Sequence, residues 1–196
     1  WFPQYFLIKL EVEFVGKNLL KNNLNLSLPL QYGDMSLSLI PTKSIYSIMP
    51  YKGKKQHVSE NLKKIFKVPL PKQNQKTSDG NLQIISTGME QWFIIDCDGD
   101  KLTKIITKNA ALTQQSDGWV RLLLIDNFRY DVMARLCPVE PMNASVVRTQ
   151  IAGMMSIVSF DDSGIELFFM RSMIETAIME IELAMKSVSA QEMNNG

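Results

Sequence analysis

The sequence predicts an α+β protein in which antiparallel sheet is covered by helices on one side. Two observations support this prediction. The order strand, helix, strand, strand, helix occurs twice along the chain, as a repeat of architecture without a repeat of residues. The last helix also carries an apolar stripe at helical spacing, which packing against a sheet would bury. With 196 residues, 45% apolar and 21% charged, the chain is long enough for one substantial domain.

The first unit opens with a partly buried strand in KSIYSIMPY and continues with a helix in VSENLKKIFKV, which Pro69 and Pro71 end. A polar surface loop, PKQNQKTSDG, closes at Asp79-Gly80. The strands NLQIISTG and QWFIIDC form a hairpin around Gly88-Met89-Glu90, and DGDKLTKIITKNAAL is the second helix. The predicted apolar faces are Val58, Leu62, Ile65 and Phe66 in the first helix and Leu102, Ile105, Ile106 and Ala110 in the second.

The second unit follows the same order. GWVRLLLID is a strand, FRYDVMARL is a helix, and VVRTQIAGMMSIVSFD and GIELFFM are two strands around the turn Asp161-Asp162-Ser163-Gly164. The last helix is predicted to start at Ser172, because Glu175 three residues later gives the spacing of a capping box. The predicted inner positions are Phe128, Val132 and Leu136 in the shorter helix and Ile174, Ala177, Ile178, Ile181, Ala184, Met185 and Val188 in the last one.

Composition changes near the N-terminus suggest the domain boundaries. The segment before Met35 is biased towards Asn and Leu without a clear period, whereas Met35 opens an ordinary domain start. We interpret residues 1–34 as an extension that is flexible or not native, residues 35–190 as the domain and residues 191–196 as a C-terminal tail. The first segment, WFPQYFLIKLEVEFV, is too short and too charged to span a membrane and lacks the pattern of a secretory signal.

Charge is balanced overall but unevenly distributed. The chain has 21 Lys and Arg against 20 Asp and Glu, which favours no polyanionic partner such as a nucleic acid. Between Lys43 and Lys76, however, many lysines accompany a single acid, Glu60, and the region from Asp161 to Glu192 is mainly acidic. Such asymmetry indicates either different neighbours on different faces or simply a solvated lysine-rich surface.

Few residues could carry chemistry. His57 is the only histidine, which excludes His-based triads and multi-histidine metal sites, and it is predicted to be a solvated residue at a helix start. Cys97 and Cys137 match no metal spacing, fit a reducing cytoplasm and are predicted to be packing residues. The sequence contains no glycine-rich phosphate loop, and no histidine could activate Ser116 in a nucleophile elbow.

The segment DCDGDK resembles a calcium loop only at first sight. Asp96, Asp98 and Asp100 alternate, but Lys101 and Thr107 stand where the loop requires Gly and Glu. We interpret the segment as an acidic turn whose carboxylates favour the N-terminus of the following helix. The sequence therefore predicts no catalytic, cofactor-binding or metal-binding residue.

Four short segments follow the order and spacing of a known family. They are Thr113-Gln114-Gln115-Ser116 before the apolar strand, Gly88 to Trp92 (GMEQW), Leu136-Cys137-Pro138, and Met170-Arg171-Ser172. Together they resemble the gamma subunit of heterotetrameric sarcosine oxidase, which shows Thr-Asp-Gln-Ser, Gly-Pro-x-x-Trp, Cys-Pro or Cys-Ser, and Pro-Arg-Ser. The likeness covers residues 38–189. Gln114, Met89 and Met170 depart from the family's usual Asp, Pro and Pro.

The resemblance implies a fold related to the folate-binding domain of the glycine-cleavage aminomethyltransferase. It also implies a non-catalytic structural subunit of a cytoplasmic complex that oxidises sarcosine to glycine, producing hydrogen peroxide and a tetrahydrofolate-bound one-carbon unit. FAD, FMN, NAD, tetrahydrofolate and zinc would then belong to the alpha, beta and delta partner subunits. Within this family context, Gln115 and Ser116 are expected to stabilise a turn through hydrogen bonds from side chain to backbone.

Three alternatives remain at this point. A stand-alone folate-binding protein of the same superfamily would carry a Lys-Gly-Cys-Tyr-x-Gly-Gln-Glu signature, whereas Leu136 and Pro138 flank Cys137 here. An aminomethyltransferase would need additional domains. An RNA-binding module would need aromatic residues between the lysines. Gene neighbourhood would separate these alternatives, because an oxidase subunit is expected beside its partners.

Overall fold

A computed structural model describes residues 28–137 and 145–195, with side chains as far as residue 191. Within these residues the chain forms two antiparallel sheets and four α-helices. The strands are β1 (Leu30–Tyr32), β2 (Met35–Leu39), β3 (Ile45–Pro50), β4 (Lys76–Asp79), β5 (Leu82–Gly88), β6 (Gln91–Ile95), β7 (Ala110–Gln114), β8 (Trp119–Ile125), β9 (Val146–Ile151), β10 (Met154–Asp161) and β11 (Gly164–Met170). The helices are α1 (Lys55–Phe66), α2 (Gly99–Ile106), α3 (Arg129–Leu136) and α4 (Ile174–Asn195).

The two sheets share one strand order. The five-stranded sheet has the order β4-β5-β6-β3-β7, and the six-stranded sheet has the order β9-β10-β11-β8-β2-β1. Each therefore contains a three-strand meander, then the strand that precedes the meander, then a further strand, and in the six-stranded sheet β1 adds a sixth strand at the edge. In the first unit that further strand is β7, which follows α2 along the chain. In the second unit its place is taken by β2, which comes from before the first unit.

The sheets pack face to face, with helices on the outer face of each. Side chains of α1 and α2 share one apolar cluster with the five-stranded sheet, and those of α3 and α4 share another with the six-stranded sheet. A third cluster contains residues of both sheets, including Phe93 and Trp119, whose rings meet edge to face at 5.4 Å. The α+β prediction is thus confirmed, but each sheet is covered by helices on one face and by the other sheet on the opposite face.

Five of the eleven strands in the described residues are absent from the predicted order, namely β1, β2, β4, β7 and one of the pair β9 and β10. The polar segment containing Asp79-Gly80 includes β4, and Ala110, predicted on a helix face, begins β7. The apolar run VVRTQIAGMMSIVSFD is two strands, because Ala152 and Gly153 adopt positive φ and turn the chain between β9 and β10. Each unit therefore has the order strand, helix, strand, strand, strand, helix. The prediction of only two strands between the two helices of a unit is wrong.

The helix termini also differ from prediction. α1 ends at Phe66 because Lys67 adopts a left-handed conformation (φ 63°), before Pro69 or Pro71 is reached. A short 3-10 turn, Arg171–Met173, precedes α4. Ser172 lies exposed within this turn and its hydroxyl forms no capping bond, so the predicted capping box is wrong. The predicted inner stripe of α4 is confirmed, since all seven residues from Ile174 to Val188 are buried.

The N-terminal part of the described chain belongs to the six-stranded sheet. β1 pairs with β2 in a hairpin, with Tyr32 opposite Met35, and Met35 is buried. The Tyr32 hydroxyl donates to the Glu182 carboxylate on α4, and Lys186 forms an ion pair with Glu182 at 2.9 Å. Residues 28–34 of the predicted extension therefore pack against the domain that starts at Met35, whereas residues 1–27 lie outside the described part of the chain.

Candidate functional site

The turn Gln115–Gly118 connects β7 to β8 and crosses from one sheet to the other. The Ser116 hydroxyl oxygen accepts a hydrogen bond from the backbone N–H of Ile45 at 3.0 Å. The Gln115 backbone N–H donates to the Ile45 carbonyl at 2.7 Å, and the Gln115 carbonyl accepts from the Gly118 N–H at 3.0 Å. The prediction of a turn held by side-chain bonds is confirmed for Ser116, whereas Gln115 contributes through its backbone.

The start of the last helix is bound to the same turn. The Arg171 backbone N–H donates to the Gly118 carbonyl at 2.9 Å, and its Nε donates to the Asp117 carbonyl at 2.7 Å. Ser116 and Arg171 belong to two of the four family-like segments and are 55 positions apart along the chain. In the fold these two segments meet at one joint between the sheets.

Trp92, from a third family-like segment, has a comparable structural role. Its ring is buried among residues of α1, α2 and the five-stranded sheet. The indole N–H donates to the Pro71 carbonyl at 3.1 Å, and the Lys55 ammonium lies 4.9 Å from the ring centroid. Trp92 thus fixes the loop that follows α1 against the sheet. In the fourth segment Cys137 is buried against α3, and Pro138 lies outside the described residues.

The main polar cluster of the interior surrounds Arg121 on β8. The Arg121 side chain is 5% exposed, and its guanidinium carbon lies 5.4 Å from the centroid of the Phe168 ring. Its Nη2 donates to Glu166 of β11 at 2.9 Å, and its Nη1 lies 3.5 Å from Asp96, just after β6. A buried arginine with two carboxylates is costly to disrupt, because loss of one partner typically destabilises a fold by about 3–5 kcal/mol. The cluster therefore joins the two sheets.

Asp96 was misassigned by sequence reasoning. The sequence pattern predicts that Asp96, like Asp98 and Asp100, lies at the helix terminus, but its Oδ1 accepts hydrogen bonds from the backbone N–H groups of Lys43 and Ser44 at 2.6 and 3.2 Å. Only Asp98 caps α2, accepting from the N–H groups of Asp100 and Lys101 at 3.1 Å each. The hydrogen bond from the Lys101 N–H is the largest cause of a lowered pKa for Asp98, and the bond from the Asp100 N–H lowers this pKa further.

A cleft of about 490 Å³ opens beside the Arg121 cluster. Its lining consists of Ile40, Pro41, Thr42, Lys43, Gly80, Asn81, Gln83, Asp96 and Arg121. These residues come from the β2–β3 connection, the β4–β5 hairpin, the end of β6 and the middle of β8. A cavity of this volume is within the usual range of small-molecule sites. No sequence pattern predicts this cleft, because its residues are brought together from four separate segments.

The remaining candidate residues lie apart from the cleft or have little reactivity. His57 is exposed in the first turn of α1, as predicted. Burial raises the pKa of the Cys97 thiol to about 11, so that this thiol is protonated at neutral pH. Within residues 28–137 and 145–195, no three His, Cys, Asp or Glu side chains are grouped closely enough to hold a metal ion. In the same residues no helix combines the length and apolarity needed to cross a membrane.

Exposed lysines concentrate on one outer face of the molecule. α1 and α2 are neighbours on the five-stranded sheet, and we call the lysines on and beside them the basic face. Its members are Lys52, Lys54, Lys55, Lys63, Lys64, Lys67, Lys101, Lys104 and Lys108. The acids in the same two stretches, 51–67 and 98–108, are Glu60, Asp98 and Asp100. Lys76 is different, because it lies 14% exposed between the sheets and binds Asp161 at 2.7 Å.

No family model matches the sequence, and no curated protein matches it at a significant level. A solved structure nevertheless shares the fold. A chain of the heterotetrameric sarcosine oxidase from Corynebacterium sp. U-96, in complex with pyrrole 2-carboxylate, superposes with a TM-score of 0.70 at 13% sequence identity. The match covers 82% of this chain and 88% of that chain. At this identity the likeness establishes a shared fold.

Proposed function

We propose that this chain is a non-catalytic structural subunit of an oxidase complex, the gamma subunit of a heterotetrameric sarcosine oxidase. The supporting observation is the fold shared with one chain of such an enzyme over 88% of that chain's length. The positions of the family-like segments add to it. Ser116, Arg171 and Trp92 all form hydrogen bonds that hold connections of the fold in place.

The proposed role sets expectations for the rest of the complex. The assembly oxidatively demethylates sarcosine to glycine, with hydrogen peroxide and a tetrahydrofolate-bound one-carbon unit as products. FAD, FMN, NAD, tetrahydrofolate and zinc are bound by the alpha, beta and delta subunits, and the complex is cytoplasmic. The isolated chain is expected to be colourless and to lack sarcosine oxidase activity.

The basic face is the proposed contact with one partner subunit. Lys54, which precedes α1, and Lys63 and Lys64 in α1 are exposed, and Glu60 is the one acidic residue of that helix. A concentrated single-sign surface steers the approach of an oppositely charged partner and makes the association rate dependent on salt. We therefore expect the partner surface to be acidic.

The test is co-expression of this chain with the alpha, beta and delta subunits of a heterotetrameric sarcosine oxidase. A four-subunit complex with sarcosine oxidase activity is the expected result, and omission of this chain should reduce the yield of intact complex. Failure of the wild-type chain to co-purify with any partner would remove the assignment. If the isolated chain then bound tetrahydrofolate, the stand-alone folate-binding protein would take its place.

A further inference from the structure

The cleft beside Arg121 has the features of a ligand site, and the proposed structural role of the chain assigns no function to it. Its floor is a cationic side chain that is nine-tenths buried, and its walls combine the apolar Ile40 and Pro41 with polar groups. Small-molecule sites commonly combine apolar walls with a few convergent polar groups in this way.

The hydrogen bonds of Arg121 are unequal on its two sides. Glu166 does not line the cleft, and its bond to Nη2 is short at 2.9 Å. The three partners that line the cleft are all farther away. Thr42 lies at 3.3 Å, Gln83 at 3.4 Å and Asp96 at 3.5 Å from the guanidinium nitrogens. Since N–H···O bonds are usually about 2.9–3.0 Å long, the guanidinium is weakly satisfied towards the cleft.

The lining residues carry a net charge of +1, and because Asp96 and Glu166 both pair with Arg121, Lys43 supplies the uncompensated positive charge that favours an acidic ligand group. Arg121 and Lys43 are cationic, and Asp96 is the one acidic residue among the lining residues. Both Asp96 carboxylate oxygens already have partners, because Oδ1 accepts two backbone N–H groups and Oδ2 faces Arg121. Arginine and lysine together are well suited to a carboxylate, since bonds between charged groups are shorter and stronger than neutral ones.

The geometry points to a site for a small organic carboxylate. The carboxylate group binds between Arg121 and Lys43, and the apolar part of the ligand packs against Ile40 and Pro41. The cleft volume accommodates a ligand with a single ring. Because Asp96 and Glu166 both pair with Arg121, binding is expected to be weak.

The full-length chain is titrated with benzoate while the backbone amide signals of Thr42, Gly80 and Asn81 are followed by NMR. Benzamide, which has the same shape without the charge, is the ligand control. Saturable shifts confined to the cleft are expected with benzoate and not with benzamide. Lys43→Glu is expected to weaken benzoate binding about tenfold, whereas Lys104→Glu, an equal charge change on the basic face, is expected to leave it unchanged.

Exposed Lys43 is chosen for substitution because Arg121 contributes to the fold. Three results would overturn the proposal: no saturable shift at the cleft, equal binding of benzamide, or equal weakening by the two lysine variants. None of these outcomes depends on whether the chain assembles with partner subunits.

Discussion

The guanidinium Nε of Arg171 donates to the carbonyl oxygen of Asp117 at 2.7 Å. This bond joins the 3-10 turn before α4 to the turn before β8, and Arg171 adds a backbone bond to Gly118. Arg171 thus holds the end of β11 to the start of β8, and these are the two central strands of the six-stranded sheet. Arg171 and Asp117 are therefore neighbours in space, although 54 positions separate them along the chain.

Arg171→Ala is expected to lower the free energy of unfolding by about 1 kcal/mol, because the Asp117 carbonyl loses its charged donor but remains reachable by water. The neighbouring Ser172→Ala serves as the control. Ser172 is exposed and its hydroxyl forms no capping bond, so its truncation is expected to change stability by less than about 0.5 kcal/mol. Urea denaturation of both variants provides the measurement. A larger loss of unfolding free energy for Ser172→Ala than for Arg171→Ala would show that Ser172 caps the last helix.

Ser116→Ala is expected to cost more, about 1–3 kcal/mol, because it removes the acceptor of the Ile45 N–H. Ile45 is fully buried, so water cannot easily replace the hydroxyl. Ser78→Ala, at an exposed position of β4, is the matched control and is expected to be nearly neutral. Equal midpoints of denaturation for the two variants would contradict the structural role of Ser116.

The Lys76–Asp161 pair gives a prediction about pH. The hydrogen bond from Lys76 is the largest cause that lowers the pKa of Asp161 below its ordinary value of 3.8. When folding lowers the pKa of a carboxyl group, the ionised group stabilises the folded state at every pH above the pKa that it has in the unfolded chain. This stabilisation is lost as the pH falls through the lower pKa of the folded state. Lys76→Met should therefore reduce stability at neutral pH and converge with wild type in strong acid.

Side-chain NMR titration measures the same effect directly. The titration midpoint of Asp161 is expected to rise towards its ordinary value in Lys76→Met and to stay low in Lys72→Met, an exposed lysine nearby in sequence. An unchanged midpoint in Lys76→Met would show that the ion pair does not control this carboxyl group.

Charge reversal tests the basic face. Lys54→Glu, Lys63→Glu and Lys64→Glu in one chain should slow association with the partner subunits about tenfold at low salt, and the difference should vanish at high salt. Lys55 is left unchanged because its ammonium lies over the Trp92 ring, where substitution would also alter packing. The same three lysines changed to Gln should give an intermediate rate. Rates that are insensitive to all these changes would make the face an ordinary solvated surface.

Periodicity predicted the elements whose apolar residues face a core. The α4 stripe is the clearest case, because seven buried positions recur at helical spacing over four turns. β8 and β11 were likewise predicted, since both are buried in the centre of a sheet and consist largely of apolar residues.

The elements missed in the sequence lack such a signal. β4 is an edge strand, KTSD, whose residues are polar and partly exposed, so it resembles a loop. β9 and β10 are both apolar enough to merge into one run, and the intervening Ala152-Gly153 is a less common turn pair than Asn-Gly. The Arg121 cluster was missed for a different reason. Asp96, Arg121 and Glu166 become neighbours only through the packing of the sheets, and no local pattern records that contact.

The origin of β2 has a consequence for the order of folding. The five-stranded sheet is built from one continuous stretch, 45–114, whereas the six-stranded sheet needs β2 to reach β8 across that entire stretch. Closing so long a loop costs entropy and slows the pairing. On the ribosome, the first unit has all its strands available before β8 is synthesised. We therefore expect the backbone amides of the five-stranded sheet to gain protection from hydrogen exchange first during folding. Pairing of β2 with β8 is expected to be the slowest step towards the native state.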